Sequence, residues 1–247
     1  MPPVKLITGR NYGSIPHLSD SKLGEHDKYI HPGQERIIRS GGRDKHDEVI
    51  VSIKLDGTNV GVLKTKGKLV TLQRKGYDCQ SSPYRQHHEF DAWVQREFEQ
   101  FDRLLRDGER IVGEWLWQAS GIQYRVQAPS FLAFDLFVPA DAGVNRLNWS
   151  DLQARLTTAN VSFGLPAFRR YRRKETPVTA LADMPNFPQV VPLSAKAHEG
   201  LVYRVERKGK FDFMAKWVRS DYTPGAFLPG IGLPKDADLV RNKVVSG

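Results

Sequence analysis

Cysteine is almost missing from this chain. Cys79 stands alone among 247 residues, which excludes an intrachain disulfide and a zinc site built on clustered cysteines. Long apolar runs are missing too. No stretch approaches the roughly 20 residues of a membrane-spanning helix. The start, Met1-Pro2-Pro3-Val4-Lys5, lacks the apolar core of a signal peptide. These absences predict a soluble, intracellular protein of the cytoplasm with no membrane partner. Acid is in short supply: 28 Asp and Glu stand against 37 Lys and Arg, a formal net charge of +9. That balance suits a polyanionic partner, nucleic acid or nucleotide.

What is present is unevenly spread. The length allows one large domain or two small ones, with a sizeable core. Residues 1–47 are rich in Gly, Pro, His and charge, and read as an irregular N-terminal segment packed on a domain over 48–222. Residues 223–247 read as a short Gly/Pro-rich tail. His17, His26, His31 and His46 match no zinc-ligand spacing, so surface or structural roles are expected. Three apolar runs, Val49–Ile53, Val60–Leu63 and Leu69–Leu72, predict a β-meander. Residues 83–106 predict one strong helix: Phe90, Trp93, Val94, Phe98, Phe101, Leu104 and Leu105 share a face, Ser82 can cap it and Gly108 ends it. That stripe is core rather than a base-stacking surface. Further strands are expected at Arg110–Trp117, Ser130–Val138, Glu199–Glu206 and Lys210–Val218, with a short helix over Asp151–Thr158 capped by Ser150.

The most informative run is Lys54-Leu55-Asp56-Gly57-Thr58-Asn59. It delivers a lysine at the end of a buried strand, with an acid and a glycine turn behind it. A lysine amine attacks only when neutral, and burial or a neighbouring cation lowers its usual pKa of about 10.4. The same letters also make an ordinary Asp-Gly hairpin turn. Five further features fall at or near predicted strand ends: Arg74; Glu114 in Val112-Gly113-Glu114-Trp115; Phe134-Asp135; Glu199-Gly200-Leu201-Val202; and Lys216 in Ala215-Lys216-Trp217. Glu114, a charge among apolar strand residues, is costly to bury without a partner. Basic residues flank these features, notably Arg169-Arg170-Tyr171-Arg172-Arg173-Lys174. Such a cluster reads equally as an RNA-backbone contact or as a solvated charge run.

In order and rough spacing, these motifs resemble the ATP-dependent RNA ligase family of the covalent nucleotidyltransferase superfamily, in particular its phage and trypanosome RNA-editing branches. The resemblance runs from about residue 48 to 220. It implies an α+β fold: a nucleotidyltransferase (ATP-grasp-like ligase) domain of antiparallel sheets flanked by helices, without an OB domain. It implies Lys54 as the nucleophile toward ATP, with Mg²⁺ or Mn²⁺ held at Glu199, and Lys216 as the cation on the phosphates. Ile53, Asn59, Arg74, Glu114, Phe134, Val202, Lys216 and Arg219 are the implied nucleotide-binding residues. Among them Glu114 would accept from the ribose hydroxyls and Phe134 would stack on adenine opposite Val202. Asp56 is expected to shape the turn. The family's fifth motif usually carries two lysines one residue apart; the positions two either side of Lys216 are Met214 and Val218 instead, and Arg219 or another basic residue is expected to substitute. The implied reaction joins RNA 3′-hydroxyl and 5′-phosphate ends through lysyl-AMP, with a partner protein supplying substrate contacts. Two alternatives are a DNA or nick-sealing ligase and a non-catalytic RNA-binding module that keeps the fold.

Overall fold

The computed structural model describes residues 3–141 and 143–246. In chain order the elements are α1 (Pro32–Arg39), β1 (Asp47–Lys54), β2 (Thr58–Thr65), β3 (Lys68–Gln73), α2 (Arg85–Arg96), α3 (Phe98–Leu104), β4 (Arg110–Trp115), β5 (Tyr124–Gln127), β6 (Phe131–Ala140), β7 (Gly143–Arg146), α4 (Trp149–Ala159), β8 (Phe168–Tyr171), β9 (Val190–Pro192), β10 (Gly200–Arg207), β11 (Lys210–Val218) and β12 (Lys243–Val245). Two antiparallel sheets carry the architecture, ordered β11-β10-β1-β8 and β3-β2-β4-β6-β7. A small third sheet, β12-β5-β9, closes one end. The fold class is α+β, as the motifs imply. No helix among the described residues is long and apolar enough to cross a membrane.

Each large sheet hides its outer face under helix. Phe90, Trp93 and Val94 of α2, Phe101 and Leu104 of α3, and Leu152 and Leu156 of α4 share a core with Val60, Val62, Ile111 and Phe131. Ile38 of α1 packs with Val49, Val51, Leu201, Tyr203 and Val205 of the four-stranded sheet. Each fully buried aliphatic or aromatic side chain of this kind contributes about 1.5–3 kcal/mol. The remaining faces turn toward each other. Arg204 on β10, 2% exposed, reaches across to Asp135 on β6 at 2.5 Å and also pairs with Glu206 at 2.6 Å. A buried guanidinium is tolerable only with such carboxylates around it.

Four expectations change. The first three strands are not a meander: β1 sits between β10 and β8, whereas β2 and β3 belong to the other sheet. Residues 55–57 carry the chain from one sheet to the other, which strand periodicity cannot reveal. The long helix is two helices, broken at Glu97 (φ −96°, ψ 23°), and Phe98 turns outward at 38% exposure. Ser82 does not cap α2; its hydroxyl meets His87 Nδ1 at 2.6 Å. The short helix starts earlier, because Asn148 rather than Ser150 accepts the first-turn amide, that of Asp151, at 2.8 Å.

Candidate active site

The last residue of β1 is Lys54, paired in register with Gly200, so the lysine stands beside the residue that opens β10. Glu199, one residue earlier, receives the Lys54 ammonium at 2.5 Å. The Lys54 side chain is 22% exposed and that of Glu199 9%. On the opposite sheet Glu114 lies across from Asn59 in the β2–β4 ladder and accepts the Gly57 amide at 3.0 Å. On β11 Lys216 is opposite Val202. Lys54, Glu199, Glu114, Asn59, Val202 and Lys216 therefore gather at one end of the cleft between the sheets.

The electrostatics of this cluster are strongly coupled. Burial opposes the Lys54 charge, but the carboxylates of Glu199 and Glu114 outweigh it and raise the lysine's pKa. Burial and then Lys54 lower the pKa of Lys216, although Asp27, 3.3 Å from its ammonium, partly offsets this. Burial raises Glu199 against the pull of Lys54. Burial also lifts Glu114 to about 7, with Lys54 pulling down and Glu199 pushing up.

The Glu114 shift has a testable sign. Between its unfolded value near 4.5 and its folded value near 7, the native state holds a proton that the unfolded chain has released. Stability attributable to this group is therefore present at low pH and lost as pH rises through that interval. Glu114→Gln is neutral throughout and keeps an oxygen for the Gly57 amide. Its stability relative to the parent should grow by about 2 kcal/mol between pH 5 and pH 8, measured by urea unfolding at both. A difference that does not change with pH would put the proton elsewhere.

The other implied residues are placed less uniformly. Phe134 sits on the cleft side of β6 with Tyr12 edge-on at 5.1 Å, in a cluster with Val112 and Ile15. Ile53 turns its side chain into a core with Leu55, Leu116 and Tyr124, so that side chain does not line the cleft. Arg74 follows the last β2–β3 pair, Val60 with Gln73, and is therefore level with Asn59. It is exposed and donates to Ser14 Oγ at 3.4 Å. The Arg219 guanidinium donates to the His198 carbonyl at 3.0 Å and pairs with Asp221 at 2.5 Å. Lys22, from the N-terminal segment, lies at the same end of β11; its amide donates to the Val218 carbonyl at 2.9 Å. Asp56 does not shape its own turn but accepts the amides of Gly121 and Ile122 at 2.6 and 2.7 Å, tying the loop after β4 to the motif. Arg170 and Arg172 of the basic cluster pair with Glu48, toward the end of β1 away from Lys54.

Several site residues carry no sequence signal. Asp27 reaches both Lys216 and His17 Nε2, the latter at 2.9 Å. Asn242 accepts the Tyr124 amide at 2.7 Å and donates to the Leu116 carbonyl at 2.9 Å, binding the tail to the loop that Asp56 holds. Tyr12 donates to Asp135 at 2.7 Å beneath Phe134. All three lie in segments without periodicity. Among the described residues no group of three or more His, Cys, Asp or Glu could hold a metal ion. Glu199 offers a hard oxygen that contacts the Lys54 ammonium and acts electrostatically on Lys216. That donor set fits Mg²⁺ or Mn²⁺ bound partly through nucleotide phosphates and water, not a closed protein cage.

A family model for RNA ligases matches residues 47–218, spanning the whole of this constellation. The chain belongs to the RNA ligase family. The fold is similar to solved structures of a Naegleria gruberi RNA ligase. A lysine mutant with AMP and Mn superposes with a TM-score of 0.51 at 16% identity, covering 87% of this chain and 59% of that one. A glutamate mutant with ATP and Mn gives 0.51 at 16%, covering 88% and 60%. The form with PPi gives 0.50 at 16%, covering 87% and 58%. At such identity the likeness is one of fold, and the chain spans about three-fifths of those ligases. No curated protein matches it in sequence.

Proposed function

We propose that this RNA ligase family member, with residues 48–222 as its catalytic unit, joins RNA 3′-hydroxyl and 5′-phosphate ends at the expense of ATP. The observation that carries the reading is the Lys54–Glu199 ion pair with Lys216 and Glu114 around it. A nucleophilic lysine needs an acceptor to hold it in place, and its attack needs that charge withdrawn. The nucleotide's triphosphate gives Glu199 and Lys216 their task. Lys216 stabilises the negative charge that develops on the α-phosphate. A divalent ion held by Glu199 and the phosphates would supply charge neutralisation there.

The protein's share follows. Once Glu199 no longer holds the ammonium, burial and Lys216 both favour the neutral amine of Lys54. Its Nζ attacks the α-phosphorus, the P–N bond forms, and the bond to pyrophosphate breaks. Asn59 and Glu114 would take the ribose hydroxyls, and Phe134 and Val202 the two faces of adenine. The RNA 5′-phosphate oxygen then attacks the same phosphorus, freeing Lys54. Finally the 3′-hydroxyl attacks the activated 5′-phosphate and AMP leaves. Splitting the reaction in this way replaces one difficult step by easier ones.

The test is incubation with ATP labelled at the α-phosphate and Mg²⁺ or Mn²⁺. A covalent, acid-labile label on the protein, discharged by 5′-phosphorylated RNA, is expected. RNA binding without any label would point to a non-catalytic module, and discharge by nicked DNA in preference to RNA would redirect the substrate.

A further inference from the structure

The N-terminal segment puts one side chain into the cleft that nothing so far uses. Asn11 is 1% exposed, and both its amide nitrogen and its amide oxygen lack a hydrogen-bond partner. A carboxamide this deep with neither group met is costly, and native structures rarely leave one so. Its position is well fixed. Arg110 donates to the Asn11 carbonyl at 3.4 Å, and the next residue is held at both ends, Tyr12 N by the Arg74 carbonyl at 3.2 Å and Tyr12 OH by Asp135 at 2.7 Å.

The amide lies on Gly61. A side chain there would meet Asn11 Nδ2 at 2.8 Å and Oδ1 at 2.9 Å, so glycine is what leaves the carboxamide room against the strand. Gly61 is two residues beyond Asn59 on β2, hence on the same face and about 7 Å further into the cleft. It pairs with Val112, the residue packed in one cluster with Tyr12 and Phe134. From the mouth inward the wall therefore offers Lys54 and Lys216, then Asn59 with Glu114, then Phe134 with Asn11.

We propose that Asn11 reads the edge of the nucleotide base, its Oδ1 accepting from an exocyclic amine and its Nδ2 donating to the adjacent ring nitrogen. Adenine presents that donor beside that acceptor, and a carboxamide matches the pair in one plane. The assignment rests on the ATP-dependent reading above and adds a specificity-determining residue from outside the matched family segment.

The probe is purine riboside triphosphate, which is ATP without the exocyclic amine. With wild-type protein, kcat/KM for covalent labelling should favour ATP by roughly ten-fold, the worth of one desolvated hydrogen bond. In Asn11→Ala the preference should fall to near parity, mostly through KM for ATP. Asn11→Leu, close in volume, serves if alanine leaves too large a void, and the ratio is internal to each variant. An unchanged ATP preference in a variant that labels, or no preference in wild type, overturns the assignment. Wild type that labels with neither nucleotide is a different result: it removes the ligase reading itself, and this inference with it.

Discussion

Lys54→Ala should show no covalent AMP label under conditions where wild type labels fully, a loss of at least about 10⁴-fold in rate. No other lysine can substitute for it. Lys216 stands on β11, separated from β1 by β10, with Asp27 at its ammonium, and a nucleophile must be placed in line with the pyrophosphate it displaces. Lys54→Arg separates chemistry from structure. Arginine can keep the ion pair with Glu199, so the fold should persist, yet its guanidinium does not deprotonate in proteins. It should be as inactive as alanine while unfolding at nearly the wild-type urea concentration. Both variants should still seal RNA that already carries a 5′-adenylate, because that last step neither makes nor breaks the bond to lysine. Label retained in either variant, or sealing lost along with it, would place the nucleophile or the role of Lys54 elsewhere.

The motifs were readable in the sequence because each couples a chemical residue to an apolar strand. Lys54 ends Val49–Ile53, Glu114 interrupts Ile111–Trp115, and Glu199-Gly200 opens a buried run; burial of the strand and exposure of its end follow from pattern alone. Helix stripes are legible for the same reason, and Phe90, Trp93 and Phe101 are indeed core. Sheet membership is not legible, since β1 and β2 have similar patterns yet lie in different sheets. Neither are β5, β7, β8 and β12, three or four residues each, too short to show a period. The contributions of residues 3–46 are the least legible. Asn11, Tyr12 and Asp27 act singly from irregular backbone, where a polar residue in the site looks like any polar residue in a loop.

Gly200→Ala should be the most damaging small substitution outside the lysine. Its methyl carbon would stand 1.9 Å from the Trp217 carbonyl oxygen and 2.9 Å from the carbonyl carbon. Both are backbone atoms of β11, the strand paired with Gly200 at Val218, so no side-chain rotation can relieve the clash. The strands must part or twist where β10 begins, and overpacking of this kind costs about 3 kcal/mol. The consequence for function is larger than for stability. Glu199 precedes the displaced residue, Lys54 is its register neighbour, and Lys216 lies two residues from Val218 on the strand that must yield. Misplacement by about 1 Å commonly costs on the order of 100-fold in rate. Gly200→Ala should therefore unfold at lower urea and label with AMP at about one hundredth of the wild-type rate. Lowering the temperature to restore the folded fraction should not restore the rate. A variant with wild-type rate once folded would mean that the β10–β11 spacing does not govern the placement of Glu199.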